Sequence, residues 1–134
     1  HMKFDTKQLK LISGEEIIAE IVDSVANDDS LPYDALVIKN PYLVDGDRSN
    51  IYLRPYIMMS KFDQFHLVNI DHCTLITDVN AVLLSMYKKT MKLYHMNHPE
   101  TIADDKDPNI YREVDWSDDS SPCNIIKFDP NKMH

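Results

Sequence analysis

The sequence predicts a mainly β domain that is closed by a single C-terminal helix. Residues 7–77 contain short runs in which apolar and polar side chains alternate, a pattern typical of half-buried strands. From Asp78 the apolar spacing changes from two residues to the 3.6 of an amphipathic helix. A chain of 134 residues can bury a core without disulfides or metal ions, so we expect one domain.

The first two strands are expected at residues 7–12 and 15–23, on either side of Gly14. This residue is one of only two glycines in the chain. A glycine supplies the positive φ that a strongly bent strand pair needs. The alternation in the second strand places Ile17 and Ile18 on opposite faces of the sheet.

The next strands are less regular. Residues 24–34 are rich in turn-forming side chains and predict a loop, and residues 35–44 predict the third strand. Pro41 cannot donate to a strand ladder, so it indicates a bend or a sheet edge within that strand. After a turn at 45–50, residues 51–70 alternate in two pieces, which fit either one long bent strand or two strands.

A last short strand is expected at residues 73–77, followed by a helix over residues 79–95. Asp78 and Asn80 are both suitable N-caps for it. We expect the helix to cover an open end of a barrel that the strands form. Its apolar face is predicted to contain Val79, Val82, Leu83, Met86 and Leu93, widened by Leu84, Tyr87, Met91 and Tyr94.

Charge divides the chain unequally. The net charge is −8; residues 1–98 hold 10 Lys and Arg against 13 Asp and Glu, and residues 99–134 hold 4 against 9. Residues 96–134 therefore form an acidic extension, and we expect it to pack on its own domain or on a neighbouring subunit through its apolar residues. An acidic balance argues against a broad phosphate-binding surface, because nonspecific nucleic-acid binding needs clustered Lys and Arg.

Motifs of catalysis and cofactor binding are missing from the sequence. It contains no GxGxxG, P-loop or GxSxG pattern, so we expect neither an enzyme nor a cofactor. Cys73 and Cys123 lie 50 residues apart without a CxxC spacing, and His95 and His98 are interpreted as residues of the helix end, so no metal site is predicted. No apolar run approaches the roughly 20 residues of a membrane span, and we expect a cytoplasmic protein.

Four motifs give the chain a family resemblance. They are LISGEEIIAEI at 11–21, VIKNP at 37–41, PYIM at 55–58 and HCTLITDVN at 72–80. In this order and spacing they resemble the small Sm-like proteins encoded by tailed phages such as cyanophages. The resemblance assigns residues 3–95 to an Sm-like barrel with its closing helix. It implies a strongly bent, five-stranded antiparallel sheet whose edge strands pair between subunits to form a ring of five to seven copies.

The resemblance also implies binding of single-stranded RNA, in phage or host RNA metabolism within the host cytoplasm. Sm rings stack a base on a side chain of the loop after the second strand, and add contacts from an Arg-Gly turn between the last two strands. Here the first loop lacks the Met-Asn pair of the family, and Asp71-His72 stands at the Arg-Gly position. The candidate RNA contacts are therefore Tyr33, Asn69 and His72.

A second interpretation has the same ring but a different ligand. The acidic extension and the net charge of −8 favour a protein-binding scaffold or adaptor that kept the Sm ring and lost the RNA pocket. Its partners would be host or phage proteins.

Overall fold

The computed structural model describes residues 5–102, and these form a mainly β fold with one helix. The strands are β1 (Asp5–Leu11), β2 (Glu16–Val25), β3 (Ala35–Gly46), β4 (Ile51–Pro55), β5 (Phe65–Asn69) and β6 (Cys73–Asp78). Helix α1 (Ala81–Asn97) follows the last strand, and two 3₁₀ turns are formed by Ile70–His72 and Pro99–Thr101. The predicted element order is confirmed. Most of the acidic extension, residues 103–134, lies outside the described residues, as does its predicted packing.

The strands form one antiparallel sheet with the order β4-β3-β2-β1-β6, and β5 also pairs with β3. Residues 51–70, which fitted one strand or two, thus form two strands. Within residues 5–102 no pairing joins β6 to β4 or β5, so the sheet is open at both edges.

Strand β3 changes its partner in the middle. Its first half, from Ala35 to Lys39, pairs with β5, and its second half, from Tyr42 to Gly46, pairs with β4. Between the halves Asn40 has a φ of 52°, and the carbonyl of Pro41 accepts a 2.9 Å hydrogen bond from the backbone N–H of Tyr56. The irregularity that Pro41 predicted is therefore present, and it places β4 and β5 one after the other along the same edge of β3.

The turn between β1 and β2 forms around Gly14 as expected. Gly14 has a φ of 96°, a region that side chains with a Cβ rarely adopt. The backbone N–H of Leu11 donates to the carbonyl of Glu15 at 2.8 Å, and that of Gly14 donates to Leu11 at 2.9 Å. These bonds close the first hairpin.

Apolar side chains are buried on both faces of the sheet. Ile17 lies on one face, in a cluster with Leu9, Ala19, Leu36 and Ile38. Its neighbour Ile18 lies on the other face, in a cluster with Tyr42, Leu53, Phe62, Leu83, Tyr87 and Met91. The opposite faces predicted for Ile17 and Ile18 are confirmed, and the second cluster is where α1 packs on the sheet.

The rotation of α1 about its own axis differs from the prediction. Its buried residues are Leu83, Tyr87, Met91 and His95, whereas Val82 and Leu93 are 58% and 49% exposed. The predicted apolar face was wrong for Val82 and Leu93. Apolar residues occur around most of this helix, so their spacing alone does not select a face. Buried hydrogen bonds of Tyr87 and His95 accompany the observed orientation.

Both ends of α1 are capped. Of the two candidate N-caps, Asn80 is the one used: its side-chain oxygen accepts a 2.8 Å hydrogen bond from the N–H of Leu83. Asp78 instead forms an ion pair with Lys7 across the β1–β6 pair. At the other end, the packed structure continues beyond residue 95, because Thr101 is buried and its carbonyl accepts from the N–H of Phe62 at 2.8 Å.

Candidate nucleic-acid interface

The 3₁₀ turn Ile70–His72 connects β5 to β6. Two of the three candidate RNA contacts lie here: His72 is the last residue of the turn, and Asn69 directly precedes it. Asn69 is the N-cap of this turn, and its side-chain oxygen accepts a 2.9 Å hydrogen bond from the N–H of Asp71. The carbonyl of His72 accepts a 2.8 Å bond from the N–H of Ile12, and its side chain is exposed. Asn69 therefore has a structural function here, while the His72 ring is available to a ligand.

The loop that contains Tyr33 meets the same turn. The backbone N–H of Ile70 donates a 2.9 Å hydrogen bond to the carbonyl of Asp34, the residue after Tyr33. The Asp34 side chain accepts a 2.8 Å bond from the N–H of Asn27, which fixes the two ends of the loop together. Tyr33 itself is half-buried. We call this junction of residues 26–34 and 69–72 the loop corner.

The electrostatics of the loop corner are unfavourable for phosphate groups. It contains Asp28, Asp29, Asp34 and Asp71, and no Lys or Arg. Hydrogen bonds from the Ser30 hydroxyl and from the N–H groups of Ser30 and Leu31 lower the pKa of Asp28, so that this carboxylate stays ionised. An RNA strand would approach four carboxyl groups without a cation of the loop corner to neutralise its phosphates.

A partly buried polar network that the sequence did not indicate lies under α1. The side-chain N–H groups of Asn40 donate to Glu20 at 3.1 Å and to Asp63 at 3.0 Å. In return, the Asn40 side-chain oxygen accepts from the N–H of Asp63 at 2.9 Å. The Lys39 ammonium lies 3.3 Å from the Asp63 carboxylate, and Lys39 is buried. The network joins β2, β3 and the segment between β4 and β5.

This network affects the charge state of Glu20. Burial raises the pKa of the Glu20 carboxyl group, partly opposed by the hydrogen bond from Asn40. Asn40 and Asp63 both have positive φ angles, 52° and 65°, a conformation that Asn and Asp tolerate better than most residues. The Asn40-Pro41 pair was a signal of irregular backbone, but nothing in the local sequence linked it to Glu20 or Asp63. We interpret the network as the anchor of the segment 56–64.

The two histidines near the end of α1 take part in capping. His95 is 3% exposed, and its Nδ1 lies at hydrogen-bond distance from the Thr101 hydroxyl. His98 Nδ1 lies 2.8 Å from the carbonyl of Tyr94, and the His98 ring stacks on that of Tyr94 with 4.2 Å between centroids. Within residues 5–102, no three His, Cys, Asp or Glu side chains are grouped so that they could hold a metal ion.

A shallow groove lies between the two glycine turns, at Gly14 and Gly46. Its lining mixes both signs of charge, with Arg48 and Arg54 beside four acidic residues. The Arg54 guanidinium lies 3.3 Å from the Asp45 carboxylate. The lining has a net charge of about −2, less negative than the loop corner but still unfavourable for phosphate groups.

None of the helices described in residues 5–102 is both long enough and apolar enough to cross a membrane. No protein-family model matches this chain, and no curated protein matches it either.

Proposed function

We propose that this protein is a non-enzymatic, Sm-like ring that serves as a scaffold for protein partners. The observation that carries the proposal is the apolar character of both sheet edges. On β4, Ile51 and Tyr52 are 47% and 53% exposed, and on β6, Leu75 and Ile76 are 58% and 43% exposed. An edge strand presents unpaired N–H and C=O groups, and exposed apolar side chains beside them favour pairing with a strand of another chain.

The two edges are formed by different strands, and in the proposed assembly one edge pairs with the other, which makes the contact head-to-tail. When β6 of one copy binds the β4 side of the next, each copy keeps one edge for a further neighbour. Such heterologous contacts generate a closed ring if the rotation between copies closes. The proposed assembly has the five to seven subunits that the Sm-like resemblance implies.

The strand register supports the strongly bent sheet that an Sm-like ring requires. Asn69 ends β5 opposite Ala35, which pairs with Val25, whereas Cys73 begins β6 opposite Leu11, level with the start of β2 near Glu16. In a flat sheet the nine residues from 16 to 25 would separate these two levels by about 30 Å. The four residues from 69 to 73 reach at most about 14 Å. This short connection therefore fits a sheet whose edges curl towards each other.

Charge favours protein partners over RNA. The four carboxyl groups of the loop corner and the net charge of −8 repel a polyanion. The exposed apolar residues of the segment between β4 and β5, among them Ile57 at 44% and Met58 at 68%, offer a contact surface typical of protein interfaces instead.

The ring is tested by replacing an edge residue and weighing the assembly by light scattering. We expect Ile76→Lys to reduce the mass to that of smaller species, because a lysine on an edge strand opposes strand addition. Ile12→Lys is the matched control: Ile12 is 61% exposed but lies in the turn after β1. A wild-type protein that is monomeric, or an assembly that Ile76→Lys leaves intact, would contradict the proposed edge pairing.

Single-stranded RNA is the second candidate ligand. It is favoured by the meeting of the Tyr33 loop with the turn that carries His72, since these are the two positions that contact RNA in the family it resembles. Fluorescence anisotropy with short U-rich and A-rich RNAs at two salt concentrations tests it. RNA binding predicts salt-sensitive affinity that Tyr33→Ala and His72→Ala reduce and that Met58→Ala, a control at an exposed site, leaves unchanged. No binding at high protein concentration would eliminate this candidate.

A further inference from the structure

Helix α1 has a second apolar face, which points away from the sheet. Val82, Leu93 and Met96 are 58%, 49% and 55% exposed. Together with Lys89 they are spaced as i, i+7, i+11 and i+14, which places all four on one stripe of a helix. We call these four residues the outer stripe. The helix contains three lysines, at 88, 89 and 92, and no acidic residue, so its surface is positively charged.

The C-terminal part of the same chain has the complementary chemistry. Residues 110–119 contain the apolar residues Ile110, Tyr111, Val114 and Trp116. The same ten residues hold four carboxyl groups against one arginine, a net charge of −3. An acidic segment with apolar anchors matches a lysine-bearing helix with an apolar stripe in both charge and hydrophobicity.

The geometry places this segment within reach. The 3₁₀ turn Pro99–Thr101 is tied to the end of α1, because the N–H of Thr101 donates to the carbonyl of His98 at 2.9 Å. Ile102 therefore lies at the C-terminal end of α1, the end that contains Leu93 and Met96. The eight residues from 102 to 110 can span about 26 Å, and a 17-residue helix is about 25 Å long. Every position of the outer stripe is accessible to a segment that starts there.

We propose that residues 110–119 bind the outer stripe of α1 in the same chain. The apolar anchors cover Val82, Leu93 and Met96, and the carboxyl groups of the segment lie near the lysines of the helix. The contact is independent of the ring and of any RNA, because it uses neither a sheet edge nor the loop corner.

The fluorescence of Trp116 tests this contact, because Trp116 is the only tryptophan in the chain. In the full-length wild type we expect emission at shorter wavelength than in urea, and a shift to longer wavelength in the double variant Leu93→Asp/Met96→Asp. Ile12→Asp is the control at an equally exposed apolar site outside the helix, and it should leave the emission unchanged. Circular dichroism establishes that each variant is folded.

A second variant addresses charge without adding a polar residue to the apolar contact. Lys89→Glu/Lys92→Glu should also shift the Trp116 emission to longer wavelength. High salt should shift the emission of the wild type in the same direction, because it screens the attraction between the lysines and the carboxyl groups. Three results would overturn the proposal: wild-type emission equal to that in urea, unchanged emission in the folded Leu93→Asp/Met96→Asp variant, or a shift on dilution to monomers. The last result would assign the contact to a neighbouring copy.

Discussion

The Tyr87 hydroxyl donates a 2.7 Å hydrogen bond to the backbone carbonyl of Asn40, and this bond connects the middle of α1 to the irregular point of β3. Tyr87 is 1% exposed, and its ring also lies edge-to-face against Tyr42, with 5.7 Å between centroids. The bond therefore joins the helix to the sheet at the residue where β3 exchanges β5 for β4.

Removal of this hydroxyl is expected to destabilise the fold, although the aromatic ring of residue 87 keeps its packing. Tyr87→Phe leaves the buried Asn40 carbonyl without its donor, which typically costs about 1–3 kcal/mol. Urea denaturation measures the loss in the free energy of unfolding. Tyr52→Phe, at a residue that is 53% exposed on β4, is the control and should change it little. Equal stabilities of the two variants would show that the Tyr87 bond contributes nothing measurable.

Glu20 is expected to make the protein less stable as the pH rises. Burial raises the pKa of Glu20 above its ordinary value of 4.5 in the folded state. Above pH 4.5 the folded state therefore binds more protons than the unfolded state, so this contribution to stability is lost as the pH rises through the folded pKa. Glu20→Gln stays neutral and can still accept from Asn40. Its stability advantage over the wild type should grow with pH.

Unfolding by urea between pH 4 and pH 8 measures the difference between Glu20→Gln and the wild type. Asp29→Asn removes a carboxylate from an exposed loop and controls for net charge. If both variants gained stability with pH to the same extent, the effect would come from the overall charge and not from the burial of Glu20.

His95 is expected to have the opposite dependence on pH. Burial lowers the pKa of His95 from 6.5 to about 4. Its contribution to stability is complete above pH 6.5 and is lost as the pH falls towards 4, by up to about 3 kcal/mol. His95→Asn should therefore have a weaker loss of stability between pH 6.5 and pH 4, as followed by urea unfolding at each pH. A slope equal to that of the wild type would assign the titration to another group.

The two glycines are expected to differ in their tolerance of a side chain. Gly46 has a φ of 103°, and a Cβ there would collide with the carbonyl oxygen of Asn50 in the turn between β3 and β4. Gly14 has a similar φ of 96° but open space around it. Gly14→Ala should cost about 1–2 kcal/mol from backbone strain alone. Gly46→Ala should cost about 1–3 kcal/mol more because of the collision, and equal losses in thermal or urea unfolding would contradict this difference.

Local signals in the sequence were sufficient for most of the fold. The alternation around Ile17 and Ile18 predicted which residues lie on each face of β2. Gly14 predicted the first hairpin, and Pro41 predicted the irregular part of β3. Each of these features depends on a few neighbouring residues. The orientation of α1 was not predictable in this way, because it depends on the contact of Tyr87 with Asn40, 47 residues earlier in the chain.

The candidate site was less accessible to sequence reasoning. The position of Asn69 and His72 at the two ends of one turn followed from their proximity in sequence. The approach of the Tyr33 loop depends on the hydrogen bond between Ile70 and Asp34. The Glu20, Asn40 and Asp63 network involves three separate segments, so no single motif indicates it. Whether any of these residues contacts RNA stays a prediction.

The pairing of β1 with β6 has a consequence for the order of folding. Strands β1 to β4 are joined by successive turns, whereas Leu11 meets Cys73 and Lys7 meets Asp78 across more than 60 residues of chain. Closing so long a loop costs more chain entropy than forming a hairpin between neighbouring strands, and it is therefore slower. We expect the β1–β4 meander to form first during synthesis, and β6 to join once the ribosome has released residue 78. Until β6 joins, β1 is the open edge on that side of the sheet. The proposed pairing of β6 with the β4 side of another copy therefore cannot form before this last strand is in place.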